Sequence, residues 1–149
     1  MALHDDYRAN SVRYYPLRNL FVPFPFVGFI LTLFCDTLYW QTANLMWKHF
    51  SSWLLFAGLV FGAFGLLAGI VDLLRPKEHG VQPTLFEILG YLAVLVLALF
   101  NSLVHAADGW TGVVPDGIIL SFLTVAFVVA TVCFSAAYTR PHGWRTYHD

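Results

Sequence analysis

Five side chains able to do chemistry lie within or at the edges of long apolar stretches: Asp36, Asp72, Glu87, Asn101 and His105. Ionisable groups in lipid are costly and normally face a protein interior, so each is a candidate site residue. Asp36 and Asn101 fall at matching depths, each about 9 Å from the middle of its stretch at the helical rise. His105 and Tyr39 lie about one turn farther out, so Asp36, Asn101, His105 and Tyr39 form a candidate outer-side cluster. A buried carboxylate beside a histidine can hold or pass a proton, or bind a ligand. The same groups can also form a structural network in which Asp36 accepts from Asn101 and His105 bonds Asp108.

Asp72 and Glu87 are candidate inner-side acids. Asp72 is within reach of Arg75 or Arg18, and Thr84-Leu-Phe-Glu87 matches a capping box. Structural roles are therefore expected for both. A bis-histidine haem b needs two histidines on facing helices. His105 is the only histidine inside a span, with His49 in a connection on the same side. Cys35 and Cys133 are separated by about 12 Å along the helix axes and do not bridge. No catalytic motif and no metal-ligand spacing is present.

Four apolar runs must position these groups: residues 20–40, 53–74, 84–105 and 117–138. Each is long enough for a hydrocarbon core of about 30 Å, and unpaired backbone in lipid leaves the helix as the available form. Pro23 and Pro25 sit in the first turn of the first run, where a missing N–H costs little. The connection 41–52 reads as a loop or a short interfacial helix. The expected fold is all-α, an integral membrane four-helix antiparallel bundle forming one domain over 1–149.

Composition agrees. The chain is 58% hydrophobic and only 11% charged, against about 45–50% and about 25% in soluble domains. A net charge of −1 leaves no footprint for nucleic acid. Residues 1–19 carry five charges before an apolar run too long for a signal peptide. Arg8, Arg13, Arg18, Arg75, Lys77, Arg140 and Arg145 fall on one side and Lys48 alone on the other. This asymmetry places both termini in the cytoplasm. Trp40, Trp47, Trp53 and Trp110 then form an outer aromatic belt, with Tyr14, Tyr15, Tyr138 and Trp144 inside.

Helix packing is expected to centre on the second run. Gly58, Gly62, Gly65, Gly69 and Asp72 fall within about 80° of one another at 100° per residue, a stripe that lets backbones approach. Polar faces on the other runs should turn inward as well. Gly28, Thr32, Cys35, Asp36 and Tyr39 share one on the first; Ser121, Thr124, Thr131 and Ser135 share another on the fourth.

The segment Pro16-Leu-Arg-Asn-Leu-Phe-Val-Pro23-Phe-Pro25 followed by Asp36-Thr-Leu-Tyr-Trp40 resembles a bacterial family of predicted membrane proteins, domain of unknown function 2231. Trp53-Leu-Leu, Gly69-Ile-Val-Asp72-Leu, Phe100-Asn101-Ser-Leu and Leu120-Ser121 are similar to its later helices. The resemblance spans roughly residues 16–140. It implies a four-helix domain of the bacterial inner membrane, and family fusions to Rieske-type iron–sulfur domains imply electron transfer nearby. Members carry a histidine before the proline motif, where Asn19 or Leu20 stands here, which weakens a haem or metal role.

Three functions are open at this point. The first is a non-catalytic membrane accessory or anchor subunit, supporting a redox complex or another protein partner, or forming a homo-oligomer. The second is a small proton-coupled transporter or conduit using the two groups of acids. The third is a redox protein binding haem b or a quinone near His105.

Overall fold

The computed structural model describes residues 17–74, 85–107 and 110–138, and these residues are helical almost throughout. Helices α1 (Arg18–Phe21) and α2 (Pro23–Thr42) run together through Val22, whose φ of −58° and ψ of −36° are helical. Helix α3 spans Leu45–Leu74, α4 spans Leu85–His105, and α5 spans Asp116–Tyr138 after a short 3-10 turn at Trp110–Gly112. Four stretches are long and apolar enough to cross a bilayer: Arg18–Thr42, Leu45–Leu74, Leu85–His105 and Trp110–Ala137.

The main departure from the sequence-based expectation is α3, which has 30 residues. Residues 45–52 are its first two turns, not a separate connection. Asn44 explains the early start: its side-chain oxygen accepts the Met46 N–H at 3.0 Å, an N-cap that satisfies a first-turn donor. Only Ala43 and Asn44 remain between α2 and α3. Ala43 closes α2 in the left-handed region with φ 52°, donating its N–H to Tyr39 O at 2.8 Å. At about 45 Å by the helical rise, α3 exceeds the hydrocarbon thickness, so it must tilt or project.

The principal contacts run in a ring: α2 with α3, α3 with α4, α4 with α5, and α5 back to α2. Pairings of the continuous α1–α2 span with α3 progress in opposite numerical senses. Phe21 lies against Phe64, Phe24 stacks on Phe61, Gly28 approaches Gly58, and Asp36 meets Ser51. Glu87 with Ser135, Gly90 with Thr131, and Asn101 with Ser121 do the same for α4 and α5.

Burial is inverted relative to a water-soluble domain. Large side chains such as Trp53, Phe56, Leu67, Phe86, Leu103 and Phe122 are exposed outward. Thr32, Asp36, Ser51, Asn101, Ser121 and Thr124 are buried. Their hydrogen bonds lie within or between helices, as a medium without water requires. Midway along the bundle Phe29, Leu55, Val94, Ala98 and Val128 form a buried apolar layer from all four spans.

Three members of the glycine stripe face neighbours. A Cβ on Gly58 would stand 2.5 Å from Phe29 Cε1; one on Gly62 would meet Leu95, and one on Gly65 the Tyr91 hydroxyl. Gly69 differs: a Cβ there meets nothing within 4 Å. The buried line continues instead through Ala68 to Asp72. Thr84, Asp108, the residues proposed to set orientation other than Arg18 and Lys48, and the inner aromatic group lie outside the described residues or their side chains.

Candidate functional site

Asp36 is the centre of the group expected with Asn101, His105 and Tyr39, and has no solvent exposure. It reaches the middle of the ring from the inward face of α2, and each of the other three spans supplies a partner. Ser51 on α3 donates to Oδ1 at 2.5 Å, and Ser121 on α5 donates to Oδ2 at 2.5 Å. His105 Nε2, on α4, lies 2.9 Å from Oδ1. Asn101 Nδ2 donates to Ser121 Oγ at 2.7 Å. The expected Asn101–Asp36 bond is therefore relayed through the serine.

The histidine ring is fixed on both sides. Its Nδ1 lies 3.0 Å from the Asn101 carbonyl, one helical turn back. That carbonyl accepts only, so Nδ1 carries a proton. The remaining question is the proton between Nε2 and Asp36. Whichever of the two holds it, every contact is satisfied and the pair is neutral overall, the form that burial in lipid favours. His105 bonds Asp36 and Asn101; Asp108, the other partner considered for it, lies outside the described residues.

Gly117 makes room for this ring, since a Cβ there would stand 2.9 Å from His105 Cε1. Tyr39, one turn beyond Asp36, is buried but packs its ring on Trp110 at 5.4 Å between centroids. Nearby Lys48 is 9% exposed and donates its ammonium to the Ala107 carbonyl at 2.7 Å, tying the start of α3 to the turn after α4. Asn101 Oδ1 is buried without a hydrogen-bond partner among the described residues.

Two of these partners escaped the sequence reading. Ser51 falls in the stretch that reads as a connection, although it lies seven residues before Gly58 and hence on the same helical face. Gly117 gave no signal beyond its place at a helix start.

With the bundle in view, the comparison with known proteins can be placed. The family model for predicted membrane protein DUF2231 matches residues 15–146, across all four spans. The chain belongs to the DUF2231 family. No curated protein and no solved structure matches it.

In this DUF2231 chain a second polar group occupies the opposite end of the bundle. Asp72 Oδ2 accepts the Arg18 main-chain N–H at 3.0 Å, satisfying a donor at the start of α1. Of the two partners expected for Asp72, Arg18 meets it through its main chain and Arg75 lies outside the described residues; the Arg18 guanidinium lies 3.4 Å from Glu87 Oε2. Ser135 donates to Glu87 Oε1 at 2.5 Å. Glu87 thus links α1, α4 and α5, a larger role than the expected cap alone. A 520 Å³ cavity opens beside this group, walled by apolar residues from all four spans.

Among the described residues of this DUF2231 chain, the two histidines as they are held do not fit haem ligation. Both nitrogens of His105 are engaged, leaving no lone pair for iron. His49 is exposed on α3 and does not face it. No group of three or more metal-ligating side chains occurs among the described residues.

Proposed function

We propose that the chain is a non-catalytic accessory or anchor subunit of the bacterial inner membrane, with its helices antiparallel and both termini cytoplasmic. The observation that carries this reading is the buried apolar layer of Phe29, Leu55, Val94, Ala98 and Val128. It lies between the Asp36 group and the Arg18–Asp72–Glu87 group. The two are about 27 Å apart along α2 by the helical rise from residue 18 to residue 36. A conduit needs polar side chains or water to join its two ends, and an apolar plug opposes this.

The Asp36 network then acts as a clamp: one carboxylate joins four helices. Opposed numbering in the helix pairings supports the antiparallel arrangement, and the distribution of Lys and Arg along the sequence supports the orientation.

The decisive measurement has two parts. Vesicles containing the purified protein and a trapped pH dye should acidify no faster than protein-free vesicles under an imposed potential. Mass spectrometry after mild-detergent purification should recover a stoichiometric partner chain, a redox subunit being one outcome. A proton flux that Asp36→Asn abolishes would replace this reading with the conduit. Repeated recovery of the protein alone, as a monomer, would remove the accessory role.

A further inference from the structure

The cavity at the inner-side end has features that the clamp does not explain. It is a half-open cleft of about 520 Å³, within the usual range for small-molecule sites. Phe26, Leu66, Ile70, Leu73 and Ile88 contribute apolar wall, and Arg18, Asn19 and Glu87 give it one polar end. It also lies beside Gly69, the one position of the stripe where an added Cβ would meet nothing within 4 Å.

A second space of about 310 Å³ lies between α4 and α5. It shares Glu87, Thr131 and Ser135 with the first, and its remaining wall includes the outward-facing Phe86, Phe127 and Phe134. The Ser135–Glu87 hydrogen bond lies where the cavity meets this groove on the lipid side.

We propose that the cavity binds a neutral, lipid-soluble amphiphile with a carbonyl or hydroxyl head, its head at Arg18 and Glu87 and its chain along the apolar wall. Neutrality follows from the polar end. Arg18 and Glu87, both half-buried, are already paired, so a head of either charge would have to compete with one of them for its partner. Their separation of 3.4 Å exceeds the 2.7–2.9 Å or so of a tight charge-assisted bond, so a head that accepts from Arg18 and donates to Glu87 competes with a slack contact. Access from the lipid phase follows from the groove. The site is independent of whether a partner subunit exists.

The test uses the full chain in mild detergent with three probes: a decyl-substituted benzoquinone, 1-decanol and decanoate. Native mass spectrometry should detect one quinone or decanol per chain, with a raised melting temperature, and little decanoate. Gly69→Leu fills the open space from α3, and Val132→Phe narrows the cavity from α5. In either variant, affinity should fall about tenfold or more, with the ligand-free melting temperature kept. Should one variant fail to fold, the other decides. The proposal is overturned if neither neutral probe binds, if decanoate binds best, or if the folded variants bind like the parent. It is also overturned if both variants melt lower without ligand while the parent binds nothing, since the space is then filled by the chain itself.

Discussion

His105 Nε2 and Asp36 Oδ1 meet at 2.9 Å across the centre of the bundle, 69 residues apart in sequence and almost wholly screened from the surroundings. Magnitudes decide what such a contact is. An interhelical hydrogen bond in a bilayer averages about 0.6 kcal/mol, whereas breaking one side of a buried ion pair costs about 3–5 kcal/mol. Asp36 also holds two serines, so the larger scale applies. Asp36→Ala is expected to cost about 3 kcal/mol or more in reversible unfolding. A double-mutant cycle with His105→Ala should return a coupling of about 1–3 kcal/mol. Coupling near zero would mean that the two side chains are held independently.

The glycines of α3 should separate under the same substitution. A methyl at Gly58 runs into Phe29, and Gly58→Ala is expected to cost about 1–3 kcal/mol by overpacking. At Gly69 no neighbour opposes it, and Gly69→Ala should stabilise by up to about 1 kcal/mol through helix propensity. Melting temperatures of the pair, moving in opposite directions, are the check.

Ala43 holds a left-handed backbone at φ 52°. A side chain in that region costs about 1–2 kcal/mol relative to glycine. Part of the gain is lost to the freer unfolded chain. Ala43→Gly should therefore raise stability by about 0.5–1 kcal/mol, measured by thermal or detergent-induced unfolding. A drop would indicate that the methyl group makes a contact worth more than the strain.

Lys48 ties two segments together through the Ala107 carbonyl. Hydrogen bonds to charged groups contribute about 1.5–3 kcal/mol. Lys48→Met keeps the stem but removes the donor, and should destabilise by about that amount. Hydrogen exchange should rise first around residues 106–107 and at the start of α3. Uniform loosening of all four helices would contradict a local tie.

Much of this architecture is legible in the sequence because lipid imposes a simple rule. Apolar runs without charges must be helices, and polar side chains on them must turn inward. That rule suffices to group Asp36 with Asn101 and His105, and to turn Asp72 inward. It does not give the wiring. Ser51 lies in a stretch too polar to read as membrane-spanning, so its place on α3 depends on the cap at Asn44. Whether Asn101 meets Asp36 directly or through Ser121 turns on rotamers and helix rotation, which spacing alone does not encode. Gly69 fits the stripe by angle, but no neighbour among the described residues comes within 4 Å of a Cβ there, which spacing does not encode.

The two-residue join at Ala43–Asn44 reaches beyond geometry. It leaves no slack between the first two spans, so they must enter the bilayer as a single hairpin. An epitope spliced there would have to pry the pair apart, whereas the ten positions between His105 and Asp116 are a longer connection in which to place one. Proteases reaching that face should leave the first join intact, and a binding partner approaching from there would find its handhold on the second.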